Sequence, residues 1–563
     1  MKWRHALLIA AALAAVAQAA PPAADAPVSS VLTGPALPET DPAALRAQVA
    51  DVLRRLASPE FKERQKAQAD VADLPFQAMA LVTAASEDPA VDPEVRDRLK
   101  EALPVYEKKS LATAAAADLD RRRVWRLQMM LSEYQKAGRH DPAWDAKVHD
   151  AILADNAAPQ PGANERVQRE HVWHLYQAAI AAGCHDPLVL LRAADMATVT
   201  DHDQGVARAH MFQQAADAFD ASDYSPFDKI ESFLRGIESL KTYPNNDGQD
   251  AMRQQHYADL AIAAWPDLAR TTGISDDILV NLALRIRAAD PRYATEIQHQ
   301  LLAALNADTD TSLPHARAAA KILAARFRLD AAMRVDLSNA VGARTLPPEF
   351  KAIRDLLQQA WAQDPIGYNA PTVMLDLEWV VLFSHEMMGD AGAPWPENLG
   401  TRGDMERWFT RAMAANPDNY DACSRKLQFL RYQPGDHAAD MLAFGRQMLA
   451  THRWTGRVPM TLVHAHELLA NASGSPENYF AQPAVWADIK SCYQQLMQHD
   501  PIPGFDACWY LKYAAYAGDW QTAADLCRQI GDHPAPAVFG GLQAYKDLRT
   551  KVFQRAGITT APG

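Results

Sequence analysis

From Asp41 onward, apolar residues return at three- and four-residue steps, and no stretch alternates apolar with polar residues over strand length. That regularity points away from a sheet protein. A half-buried strand needs a period of two, whereas an amphipathic helix needs about 3.6. In the first such stretch Leu45, Val49, Val52, Leu53 and Leu56 build one apolar face. Punctuation agrees with periodicity. Ser58-Pro59-Glu60 and Asp92-Pro93-Glu94 each supply a capping oxygen, a proline suited to the first helical position and an acid in the first turn. Asp290-Pro291, Asp364-Pro365, Asn416-Pro417 and Asp500-Pro501 read as helix ends, because proline cannot continue a helix and disfavours α geometry in the residue before it. Further helices are predicted over 124–134, 165–182, 206–219, 226–240, 254–264, 276–288, 315–327 and 331–341. The fold class expected is all-α.

With 563 residues the chain is too long for one compact core, so several domains or an extended repeat array are expected. Much of its apolar content is alanine, which favours helix and lets helices approach closely. The net charge of −13 comes from acids and bases mixed along the chain, with no basic stripe, so no nucleic-acid partner is expected.

The first twenty residues have a different character. Lys2 and Arg4 precede an apolar run over 6–17 and the small-residue site Ala17-Gln18-Ala19, the make-up of a secretory signal peptide. Residues 21–40, rich in proline, alanine and small polar side chains, read as a flexible linker. The next most apolar run, 372–383, contains Asp376 and Glu378. The expectation is an exported protein, periplasmic or extracellular, with no membrane insertion after leader cleavage. Cys184, Cys423, Cys492, Cys508 and Cys527 show no C-x-x-C spacing. They read as small apolar residues in helix interfaces, or as one bridge within 492–527.

Two resemblances follow from particular residues. LASPEFKERQKAQADVADL and DPEVRDRLKEAL, with Val95-Arg96 after Asp92-Pro93, resemble a HEAT-type helical hairpin of exported bacterial proteins. MERWFTRAMAANPDNYDA, and YAAYAGDWQTAADLCRQI with Gly518-Asp519-Trp520 at a hairpin turn, resemble tetratricopeptide repeats. No clean 34-residue period accompanies them, and Leu511 and Ala514 stand where that pattern has glycine and an aromatic. The resemblances imply an α-solenoid of antiparallel helical hairpins with irregular tetratricopeptide-like repeats. The domains expected are a signal peptide (1–20), a linker (21–40), a HEAT-like segment (41–105), a helical-hairpin array (106–345) and a tetratricopeptide-like domain (346–563).

The search for chemistry returns little. His385-Glu386 and His466-Glu467 lack the second histidine of a helical zinc protease, since Gly389 and Ala470 occupy those positions. His464 with Glu467, and His171 with His174, share a helix face, a spacing commoner in packing than in metal binding. Neither a serine elbow nor a phosphate-cradling glycine pattern occurs, and Cys184 beside His185 lies at a helix end. No catalytic residue, metal or cofactor is assigned. Tryptophans crowd the last two fifths of the chain, and Trp395, between two prolines in the loop 389–403, is the leading candidate for partner contact, with Trp379 and Trp454. The reading is a non-enzymatic scaffold of the bacterial cell envelope that binds a protein partner, with a glycan as the second partner class. The alternative is an α-helical toroid enzyme acting on polysaccharide or cell-wall material. The oligomeric state stays open.

Overall fold

The computed structural model describes residues 42–157, 165–199, 202–245, 247–271, 274–289, 294–306, 314–334, 349–388, 400–433, 436–499 and 504–558. The leader, the 21–40 segment, Trp395 and all but the last four residues of the 389–403 loop lie outside them.

Local chemistry starts several helices where the sequence places them. Asp92 accepts hydrogen bonds from the Glu94 and Val95 amides at 2.9 and 3.4 Å, with Pro93 opening the helix. Ser225 before Pro226 accepts from the Asp228 amide, and Asp186 before Pro187 caps in the same way a helix over Pro187–Met196 that was not among those predicted. Ser58-Pro59 departs from expectation: the helix begins at Phe61, two residues later than predicted. Arg64 donates from Nη1 to the carbonyls of both Ser58 and Pro59, at 2.8 and 2.9 Å, and holds them outside the helix.

The described residues form twenty-five α-helices and no strand. The N-terminal group is α1 (Pro42–Leu56), α2 (Phe61–Val71), α3 (Met79–Glu87) and the long α4 (Pro93–Ala137). Then come α5 (Asp145–Asp155), α6 (Glu165–Ala181), α7 (Pro187–Met196), α8 (His202–Asp220), α9 (Pro226–Thr242), α10 (Asp250–Arg270) and α11 (Asp276–Ala289). Next are α12 (Ala294–Asn306), α13 (Pro314–Arg334), α14 (Glu349–Gln363), α15 (Asn369–Met388), α16 (Arg402–Ala415), α17 (Tyr420–Tyr432) and α18 (His437–Leu449). The last are α19 (Thr461–Ala472), α20 (Pro476–Phe480), α21 (Pro483–His499), α22 (Gly504–Ala517), α23 (Trp520–Ile530), α24 (Pro536–Phe539) and α25 (Leu542–Arg555). The chain is all-α. From α5 onward most helices pack on the next in sequence, so the core is laid down neighbour by neighbour. One apolar cluster runs from Leu45 to Leu468, and a second from Trp454 to Phe553 takes over around α19.

The turns carry the short-range logic. Gly518, at φ +73°, separates α22 from α23, and the Asp519 side chain accepts from the Thr522 amide at 3.2 Å. Asn419 caps α17 through the Ala422 amide at 3.0 Å.

One helix breaks the neighbour rule. Helix α4 has 45 residues, about 67 Å at 1.5 Å per residue, and runs straight through Pro104 and past residue 105. An interior proline removes one helical hydrogen bond and costs about 3 kcal/mol. Contacts just after it offset it: the Tyr106 hydroxyl donates to the Pro75 carbonyl at 2.7 Å, and Glu107 pairs with Arg411 on α16. Farther along, Arg122 reaches Asp277 on α11 at 3.4 Å, and Trp125 meets Phe227 on α9 edge to face at 6.1 Å. Glu133 accepts from the Ser225 amide at 2.9 Å, and Asn156, just past α5, donates to Met130. The chain therefore leaves α4 at its C-terminal end, passes its middle, and returns to its N-terminal half at α16. Helix α4 is the strut against which the array is folded.

Candidate functional site

The return of α16 to α4 creates a cleft of about 720 Å³, bounded by α3, α4, α16 and Arg354 of α14. Each wall is one helix face. Arg96, Lys100, Leu103 and Glu107 follow i, i+4, i+7, i+11 on α4, while Gly403, Arg407 and Thr410 follow i, i+4, i+7 on α16. Val95 and Leu99 turn inward, and their burial holds the α4 wall in place.

Charge is unevenly balanced here. Five cations (Arg96, Lys100, Arg354, Arg407 and Arg411) face three carboxylates, in a protein whose net charge is −13. Two of those carboxylates are engaged. Glu107 and Arg411, 2% and 3% exposed, form a buried pair, and the Arg411 guanidinium stacks on Trp361 at 3.8 Å and Trp408 at 4.3 Å. Glu406 is held by Lys426 at 2.6 Å. Arg407 stands 3.8 Å from Asp404 and 4.0 Å from Glu87, an ion-pair distance but not a hydrogen bond. Arg96 and Lys100 make no ion pair among the described residues. The Arg96 Nε and Thr83 Oγ1 atoms are buried without a hydrogen-bond partner among the described residues. The cleft has the chemistry to receive an anion: donors and positive charge in excess, at a size typical of ligand sites.

Glu378 of α15 lies behind this wall. Burial pushes its carboxyl up to about 8; the Gly400 amide, donating to Oε2, pulls it down and Asp404 pushes it up. Arg354 and Arg407 pull it down as well. Its Oε1 has no hydrogen-bond partner among the described residues.

The tryptophans singled out in the sequence do not share a surface. Trp379 is half-buried against the first core, stacked on Tyr432 at 6.3 Å, with its indole N–H donating to Asp376 at 3.4 Å. Trp454 is 5% exposed and sits in the second core, face to face with His499. The two rings belong to different cores, and Trp395 lies outside the described residues. Large aromatics here fill gaps between alanine-rich helices. Sequence reasoning passed over Arg96, Lys100 and Arg407. Their one available signal was the one-turn spacing of Arg96 and Lys100, which a solvated helix face produces equally well.

Other candidates are accounted for by packing. No group of three or more His, Cys, Asp or Glu among the described residues is placed to hold a metal ion. His466 is buried, with Nδ1 3.0 Å from the Tyr479 hydroxyl and Nε2 3.3 Å from Asp488. All five cysteines are buried free thiols, and burial pushes Cys184 up to about 11. No described helix is long and apolar enough to cross a membrane. Comparison with known protein families, with curated proteins and with solved structures finds no match to this chain.

Proposed function

We propose that this protein is an exported, non-enzymatic binding protein of the bacterial cell envelope, an irregular tetratricopeptide-like solenoid of antiparallel hairpins that docks an acidic segment of a protein partner. The cationic cleft between α4 and α16 carries this reading, above all the unpaired Arg96 and Lys100. Positive charge gathered in one place on an acidic protein has to be kept there against the average, and a carboxylate-bearing partner explains its position. The leader sequence supports export to the periplasm or beyond. The competing toroid-enzyme reading calls for an open pit lined by acids at the centre of the array. The cleft between α4 and α16 is instead lined by five cations and three acids, which supports the binding reading over that one.

Fluorescence anisotropy tests the proposal with a fluorescein-labelled peptide of alternating Glu and Ala and its Gln-for-Glu twin. The Glu peptide is expected to bind about tenfold or more tightly than the twin, with affinity falling as salt rises. The combined variant Arg96→Ala, Lys100→Ala should abolish that preference. Equal binding of the two peptides by the wild-type protein, or an unchanged preference in the variant, overturns the proposal.

A further inference from the structure

A second chamber, of about 300 Å³, lies farther along α4 where it crosses α7, α9 and α11. Its lining mixes apolar and charged side chains. Trp125, Phe227, Met129, Leu188, Leu191 and Ile278 are apolar lining, and the charged lining is four arginines (Arg122, Arg126, Arg192 and Arg235) with three carboxylates (Asp195, Asp228 and Glu231).

Three of these arginines are occupied. Arg192 is buried and grips Asp155 through Nε at 2.7 Å and Nη2 at 2.9 Å, and it also pairs with Asp195. Arg122 pairs with Asp118 and Asp277. Arg235 contacts Asp195 at 3.4 Å and Glu238 at 3.2 Å. Arg126 is the exception: its side chain is exposed and makes no ion pair among the described residues. The three lining acids have partners other than Arg126. Asp195 is shared between Arg192 and Arg235, Glu231 is bound by Arg285 at 2.8 Å, and Asp228 accepts from the Ser225 hydroxyl at 2.8 Å. Burial pushes Asp228 up to about 7, so it supplies only part of a negative charge at neutral pH. The charge of Arg192, followed by desolvation, holds the Arg126 guanidinium below its usual range, against the opposing pull of Asp155 and Asp195.

A guanidinium presents a planar fork that matches a carboxylate, and a chamber of this size takes a small molecule. We infer that this chamber is a binding site for a small monocarboxylic acid with an aromatic or branched apolar body, its carboxylate on Arg126 and its body against Trp125 and Phe227. The site is independent of the α4–α16 cleft and its function.

Isothermal titration calorimetry on the full-length protein tests it with three probes: phenylacetate, its neutral isostere phenylacetamide, and inorganic phosphate. Phenylacetate should bind about 10- to 100-fold more tightly than phenylacetamide, the range for a hydrogen-bonded charge pair, and more tightly than phosphate, which has no apolar body. Arg126→Gln should remove that advantage, and because the side chain is exposed the variant should fold; its circular dichroism melt checks this. Arg126→Lys, keeping the charge without the fork, should fall between. The Arg96→Ala, Lys100→Ala protein should bind phenylacetate as wild type does. Phenylacetate binding no tighter than phenylacetamide or phosphate, or full affinity in a folded Arg126→Gln protein, overturns the inference.

Discussion

If α4 is a strut, its attachment at Glu107 should be measurable by removing one carboxylate. Glu107 and Arg411 are 2% and 3% exposed, 304 residues apart in sequence, and joined through two hydrogen bonds. Glu107→Gln leaves a buried guanidinium without its counter-charge, and breaking such a pair costs about 3–5 kcal/mol. The stacking of Arg411 on Trp361 and Trp408 is present with and without the carboxylate, so it does not reduce the difference. A chain of 563 residues with two apolar clusters does not unfold as one unit, so a global denaturation midpoint would blur the effect. Hydrogen exchange read by mass spectrometry reports the local opening directly. Taking 3 kcal/mol as the lower bound, amides of α4 around Ala102 to Leu111 should exchange about a hundredfold faster in Glu107→Gln. Helix α23, in the other core, should stay unchanged and serves as the internal reference. The double variant Glu107→Gln, Arg411→Met should recover most of the protection, because an apolar replacement of a whole buried pair is close to neutral. Exchange in α4 within about threefold of wild type, or a double variant as labile as the single one, would refute the strut.

Two further outcomes follow from buried titrating groups. Glu378 has a folded pKa of about 8 against an ordinary 4.5, so its burial is neutral in acid and stability falls as pH rises from about 4.5 to 8, by about 5 kcal/mol in all. Glu378→Gln should flatten that slope and raise the thermal midpoint at pH 8 while leaving it near wild type at pH 4.5; parallel pH curves for the two proteins would contradict this. The thiols of Cys423, Cys492 and Cys527 are pushed up to about 12 by burial, and all five cysteines are buried and unpaired. Ellman's reagent at pH 8 should label the native protein slowly and titrate five thiols in guanidinium, and fast labelling of the native protein would contradict the packing.

What could be read from the chain was local, and what could not was distant. Asp92 caps its helix as its sequence implies, because capping needs only a side-chain oxygen and an amide two or three residues on. Pro104 lies inside α4 although the propensity rule against an interior proline is strong. The contacts that override it come from Pro75 and Arg411, and Arg411 is invisible from the sequence around Pro104. Trp454 illustrates the same limit in the other direction. Its sequence context, between a histidine-arginine pair and a glycine-containing turn, suits a surface position, yet the ring fills the second core against His499.

The arginines show why the candidate site had to wait for the fold. Arg96, Arg126, Arg192 and Arg411 all sit on helices with mixed faces, and no local pattern separates them. Their partners do. Arg192 and Arg411 are buried, each matched to a carboxylate far away in sequence, and their charge is consumed in holding helices together. Arg96 lines an open cleft and Arg126 is exposed, and neither is matched to a carboxylate among the described residues, although acids outnumber bases in the chain by 69 to 56. In an acidic protein a carboxylate is easily placed beside any guanidinium. Along the two clefts of α4, Arg122, Arg192, Arg235 and Arg411 have carboxylate partners, and Arg96 and Arg126 are the arginines left for something that arrives from outside.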